Sequence, residues 1–237
     1  MTSRIPPHVS TLVDEQVRRW NLAQQARRAE LHWPIVTVSR EFGSLGAATA
    51  ERVSQRLGFR LWDQDVVHAI AEESGASAKL VASLDEHTRS GLEDLISGAL
   101  LGVAGTTDGY VRELARVIHT IGSHGGAVVV GRGAQWVVPA DQALRVRVVC
   151  PFDKRVAGYA ERKGIAPKDA ERIVRDTERD RRTFFQQRFG RDVTDPTYYD
   201  LLINTGTFGV EATAELIVTA YRQKFPGLPE ARVSLTP

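Results

Sequence analysis

The sequence holds a single cysteine, Cys150, which excludes an intramolecular disulfide and suits a reducing compartment. It has no apolar run long enough to span a bilayer, and its first residues, MTSRIPPHVS, lack a signal-peptide core, so a cytoplasmic protein with no membrane role is expected. The formal charge of +2 is close to balance, too little to mark the whole chain as a binder of polyanions, although arginines are concentrated locally. His68, His87, His119 and His124 recur at no spacing that suits a metal site and read as ordinary polar residues. Lysine is missing throughout the stretch between Arg40 and Lys79. With 237 residues, 42% hydrophobic and 25% charged, the chain can bury a substantial core in one domain with appendages, and disorder is not the default.

The stretch around which the rest is organised is Ile35 to Leu57, IVTVSREFGSLGAATAERVSQRL. Ile35 to Val38 reads as a buried strand of a parallel sheet, and Ala47 to Leu57 carries apolar residues at helical spacing. Between them, Ser39 to Gly46 forms a glycine-containing loop opening directly into a helix, where loop amides and the helix N-terminus converge with partial positive charge, a place for phosphate. The full phosphate-loop pattern, G-x-x-x-x-G-K-[ST], is absent. Gly46 is followed by Ala47, Ala48 and Thr49, which leaves Arg40, or a residue brought from elsewhere, to replace the lysine that normally reaches the terminal phosphates. Glycines placed only for close packing are the competing reading.

Residues 1 to 8 form a Pro-containing tail, and Ser10 can cap a helix from about Thr11 to Leu31. Its imperfect apolar stripe of Leu12, Val13, Val17, Trp20, Ala23 and Leu31 suits packing on the body or on a second copy, a homodimer through this helix, better than packing on a membrane. Gly58 ends the following helix, Phe59 to Trp62 returns as a strand, and Asp63-Gln64-Asp65 can cap the next helix. Asp63 and Asp65 thus stand at a strand's carboxyl end, where ligands bind in open α/β sheets, unless they are plain caps. Residues 74–125 read as a helical lobe, with helices at 78–84, 92–103 and 110–122 broken at Gly75, Gly91 and the 105–109 turn. Gly126 to Val130 is a buried strand followed by Gly131-Arg132-Gly133, an arginine placed to fork onto phosphate oxygens. Leu144 to Cys150 is a further strand, and Pro151-Phe152-Asp153 starts a helix.

From Pro167 a long helical pattern carries Arg172, Arg175, Arg179, Arg181, Arg182 and Arg188, with Arg191 beyond Gly190. Arg172, Arg175, Arg179 and Arg182 recur at three- and four-residue steps as a ladder of guanidinium groups. The interleaved Glu171, Asp176, Glu178 and Asp180 allow the alternative of a solvated, ion-paired face. Leu201 to Asn204 is the last strand, and a closing helix spans about 210–221, before a loose tail after Pro226. Strands alternating with helices predict a parallel α/β sheet.

VSREFGSLG, VVVGRGAQW, ERDRRTFF and DPTYYDLLINTGTFGVEATAELI, spread over about residues 34–224, together resemble the cytidylate kinase-like family of P-loop nucleoside-monophosphate kinases. The resemblance implies a three-layer α/β P-loop kinase fold: a parallel sheet flanked by helices, a helical NMP-type lobe (74–125) and an arginine-rich lid (164–195) within a domain at 34–225. That domain lies between a 1–33 N-terminal segment and a 226–237 tail. It further implies ATP and Mg²⁺ as cofactors and a small-molecule nucleotide as partner. Donor phosphates would lie on Gly43, Ser44, Gly46, Ala47, Ala48 and Thr49 with Arg40. Asp63, Asp65 and Arg188 would border the acceptor, Arg132 would hold its phosphate, and Arg179, Arg181 and Arg182 would act from the lid. Departures are Leu45 in place of a glycine, Ala47 where the family usually has a basic residue, Gln135 where an acidic one is usual, and Gly133 directly after Arg132. The leading expectation is phosphoryl transfer from ATP to a nucleoside monophosphate, CMP first. The alternatives are a nucleotide-binding or sensing protein of the same fold without turnover, and an interaction protein using its basic face on RNA.

Overall fold

The computed structural model describes residues 9–26, 32–100 and 109–228. Five parallel strands form the centre: β1 (Ile35–Arg40), β2 (Arg60–Trp62), β3 (Ala127–Val130), β4 (Ala143–Val149) and β5 (Leu201–Asn204), in the order β2-β3-β1-β4-β5. The register aligns Val38 with Val130 and Val146, and Arg40 with Val148. Leaving β1 the chain passes toward β2, and leaving β3 it passes toward β4. The carboxyl ends of β1 and β3 therefore flank the switch point, where an open parallel sheet leaves a crevice.

Helices cover both faces, giving three layers. On one side, α2 (Gly46–Leu57) and α10 (Thr205–Lys224) bury Ala50, Val53, Ile217, Val218 and Tyr221 against Val36, Val38, Val128, Val130, Leu144, Val146 and Val148. Alternation then sends Ile35, Ala127, Val129 and Ala143 to the opposite face, into a larger core. That core is built with α1 (Val9–Ala26), α3 (Gln64–Glu72), α4 (Ser74–Ala82), α5 (Glu86–Ala99), α6 (Gly109–His124), the single-turn α7 (Ala134–Val137) and α9 (Pro167–Phe189). Between β4 and α9 lies α8 (Phe152–Lys163).

The N-terminal helix packs on the body: Val13 and Trp20 are buried, Trp20 stacks on His124 at 3.7 Å, and Lys79 of α4 pairs with Asp14. Ser10 lies inside α1 rather than capping it, and the expected continuation through Arg27, Ala29 and Leu31 falls outside the described residues. In the lobe, Gly75 and Gly91 sit inside α4 and α5 instead of breaking them. A Cβ at either would meet nothing, and the boundary is set instead by Asp85, whose carboxylate accepts the Thr88 amide. Most of the expected turn at 105–109 and the residues beyond Leu228 lie outside the described residues. The closing helix starts earlier than expected, at Thr205, because Asn204 accepts the Gly206 amide as an N-cap, and it kinks at Gly209.

Candidate active site

The loop Glu41–Leu45 leaves β1 and enters α2 with Gly43 at φ 84° and Leu45 at φ 60°. Leu45 is the N-cap of α2 and makes no side-chain capping bond. The N–H groups at the start of α2 thus receive no bond from the cap side chain, and a helix N-terminus at a strand's carboxyl end suits an anion. Among the described residues, Leu45 and Arg132 are the two non-glycine residues with positive φ, and both stand at the switch point. Strained backbone of this kind persists where the surroundings over-determine it. Neither apolar side chain plugs the loop: Phe42 packs on Tyr159 of α8, ring centroids 5.1 Å apart, and Leu45 is 38% exposed.

Of the loop's side chains, Ser44 and Thr49 turn inward. Both are fully buried, the Ser44 hydroxyl donating to Glu41 O at 2.9 Å and the Thr49 hydroxyl to Leu45 O at 3.1 Å. Ala47 and Ala48 offer backbone only. Gly46 is required by close approach, since a Cβ there would lie 2.5 Å from Arg40 Cβ. The loop is tied down from the end of β4, from α8 and from α10: Glu41 accepts the Cys150 amide at 2.9 Å, Arg155 donates to Cys150 O and Phe42 O, and Thr205 donates to Ser44 O at 2.7 Å.

Four guanidinium groups converge on the crevice. Arg40 crosses from β1, its Nη2 donating to Gln64 Oε1 at 2.5 Å, and its head leaves no room for a side chain at residue 131. Burial, reinforced by Arg181 and Arg132, pushes its pKa down to about 9. Arg132, held in the left-handed region between Gly131 and Gly133, donates Nε to Gln64 O at 3.2 Å and lies over the Phe184 ring of α9. Arg181 donates to Arg40 O at 3.4 Å and stacks over Phe42 at 5.3 Å. Burial lowers its pKa against the opposing pull of Glu178, with Arg132 and Arg147 adding to the lowering. Arg147 is 3% exposed and meets neutral partners: Ser39 Oγ at 2.9 Å and the Tyr199 ring, whose hydroxyl lies within reach of Gln135. Gln135 thus completes a buried neutral network in the position where an acid was the family expectation.

The acids are fewer. Asp65 exerts its charge on Arg40 from the first turn of α3. Asp63 is exposed and acts as the cap of α3, one oxygen accepting both the Asp65 and Val66 amides. Its role at the site was an expectation that this geometry gives no contact to support. Glu178 reaches the other way, from α9 to the loop, accepting the Phe42 amide.

The arginine ladder of α9 divides. Arg172 pairs with Asp169, Arg175 with Glu171, and Arg179 with Asp176 and Asp180, all with side chains more than 60% exposed. Arg175, Arg179 and Arg182 nevertheless line, with Phe152, Arg155, Glu178 and Thr183, a cleft of about 450 Å³ between α8 and α9 beside the loop. Arg188 is exposed near the end of α9, away from that lining. A second cleft, about 480 Å³, lies between α3 and α6 against Ala71, Glu72, Gly109, Tyr110 and Glu113.

Glu178, Gln64, Arg147 and Arg155 were not expected. For Glu178 and Arg181 a signal existed: Ala170, Val174, Phe185 and Phe189 are the buried stripe of α9, and these two charged residues occupy the stripe's missing positions.

Residues 35–207 match the cytidylate kinase-like family. The chain belongs to that family. The cytidylate kinase of Aeropyrum pernix is 28% identical over 184 residues, covering 77% of this chain and 95% of the relative. That of Ignicoccus hospitalis is 27% identical over 184 residues, 77% of this chain and 96% of the relative. Among solved structures, an uncharacterized protein from Eubacterium ventriosum aligns at a TM-score of 0.64 with 16% identity, over 80% of this chain and 98% of that one. Family membership makes this a kinase-like protein with nucleotide use as its coarse activity, and no helix among the described residues is long and apolar enough to cross a membrane.

Proposed function

We propose that the protein transfers a phosphoryl group from ATP to a nucleoside monophosphate, with CMP the first acceptor to test. The carrying observation is the uncapped N-terminus of α2 lying where Arg40, Arg132 and Arg181 converge. Donor phosphates would rest on the amides of Gly46, Ala47 and Ala48, extending into the α8–α9 cleft toward Arg155, Arg179 and Arg182. Arg40 and Arg181 stand in for the missing lysine, two delocalised charges replacing one point charge. Arg132 would fork onto the acceptor phosphate, with Asp65 at the rim and the α3–α6 cleft beyond it. Phosphoryl transfer asks mainly for such positioning and charge neutralisation.

The donor set fits Mg²⁺ only as a companion of the polyphosphate. Thr49 is turned away, and no group of three His, Cys, Asp or Glu forms a cage among the described residues. Mg²⁺ bound to phosphates with one or two carboxylates needs no such cage, and it would supply charge neutralisation. Asp65 and Glu178 are the carboxylates within the guanidinium cluster.

The test is a panel of CMP, dCMP, UMP, AMP and GMP with ATP and Mg²⁺, read as diphosphate formed. CMP turnover supports the proposal, and no product with any acceptor overturns it. The inward Thr49 hydroxyl and the absent lysine favour one second reading, nucleotide binding without turnover, for which ATP would raise the Tm while no product forms.

A further inference from the structure

Glu178 is the single acid among the residues lining the α8–α9 cleft, against Arg155, Arg175, Arg179 and Arg182. Its side chain is only 15% exposed, on the buried stripe of α9 where an apolar residue would be expected. The carboxylate accepts the Phe42 amide of the loop and lies 3.7 Å from Arg181 of the next turn, which in turn donates to Arg40 O. The Phe42 ring meets both Arg181 and Tyr159, so α9, the loop and α8 are joined at one point. The partners of this oxygen, a loop amide and a guanidinium, are the donors that a phosphate oxygen seeks.

We infer that Glu178 is an internal stand-in for phosphate: a latch that holds α9 down on the loop in the empty protein and is expelled when a polyphosphate arrives. The displacement half rests on the phosphate-binding reading proposed above. The latch half does not. A polyphosphate carries several charges where the carboxylate carries one, so it wins the shared donors. Its apparent affinity is nevertheless reduced by the fraction of molecules in which the latch is shut. Expulsion frees α9 together with Arg181, coupling occupancy of the loop to movement of the arginine-bearing helix.

Glu178→Gln keeps the shape and removes the charge, and Asp169→Asn, on the exposed face of α9, is the control. Amide hydrogen exchange of residues 40–46 without ligand, and calorimetric titration with inorganic tripolyphosphate, are measured for wild type and both variants. The latch predicts exchange at Phe42 about fivefold faster and tripolyphosphate binding about fivefold tighter in Glu178→Gln, with Asp169→Asn unchanged in both. Unchanged Phe42 exchange in Glu178→Gln overturns the latch, even if tripolyphosphate still binds. Faster exchange with weaker tripolyphosphate binding makes Glu178 a support of the anion and overturns its displacement. Failure of tripolyphosphate to bind any of the three proteins sinks the phosphate-binding reading and the displacement with it, leaving the exchange result to judge the latch alone.

Discussion

Arginines on opposite faces of α9 behave as different residues. Arg172 reaches into solvent and pairs with Asp169, a contact that solvent screens and side-chain entropy weakens to a few tenths of a kcal/mol, and Arg175 and Arg179 pair likewise while also lining the α8–α9 cleft. Arg181, on the buried face, has its pKa lowered first by burial, against the opposing pull of Glu178, and further by Arg132 and Arg147. An exposed, ion-paired arginine such as Arg172 is a solubility feature. A knot of half-buried ones beside an uncapped helix N-terminus is suited to an anion, because a multiply charged ligand would offset the desolvation and repulsion it carries.

The contrast breaks first in turnover. Arg40→Ala, Arg132→Ala and Arg181→Ala are each expected to lower kcat by about 100-fold or more with ATP and CMP, as loss of a donor aimed at developing charge does. Arg172→Ala should stay within about twofold of wild type. Equal losses at Arg172 and Arg181 would erase the distinction between the faces.

A second, smaller effect concerns the junction between α9 and the Gly131–Gly133 turn. Gly133 has φ 77°, and a Cβ there would lie 2.6 Å from Phe189 Cζ, so Gly133→Ala should cost about 1–3 kcal/mol in urea unfolding. Gly75→Ala, facing open space inside α4, should be neutral or stabilising by about 0.5–1 kcal/mol.

The pH dependence is the gentlest probe. With its pKa near 9, Arg40, which faces Arg132, Arg181, Asp65 and Glu178, loses charge as pH rises through that value. Tripolyphosphate affinity should therefore decline above about pH 9. For folding itself the sign reverses: above about 9 and below the ordinary arginine value the unfolded chain binds more protons at this residue, so the Arg40 contribution to stability rises with pH. Arg40→Gln should flatten both trends.

Local rules made much of this legible. Gly58 ends α2 in the left-handed region, Asp63 caps α3, and Phe152 opens α8 after Pro151, each where turn and cap chemistry placed it. Within residues 74–125 the helix ends differ from those that glycine breaks predict, because Asp85 and the packing of Leu80, Leu84 and Leu92 into the core decide them. At the site, Arg40 and Arg132 stood out by position at strand ends. Thr49 looked available, but its hydroxyl bonds the carbonyl four residues back, a choice made by burial. Arg147 was hidden inside a strand whose alternate residues, Leu144, Val146 and Val148, carry the apolar signal.

The sequence by itself determined the parallel α/β layout, the phosphate-type loop between β1 and α2, and the family, because these rest on periodicity, glycine placement and contiguous motifs. Only the tertiary structure decided which arginines converge. Arg40, Arg132, Arg147 and Arg181 are far apart along the chain and meet because β1, β3 and β4 end at one edge and α9 lies across it. The same meeting set Glu178 on the loop, since a carboxylate's role depends on which amide and guanidinium the fold carries to it.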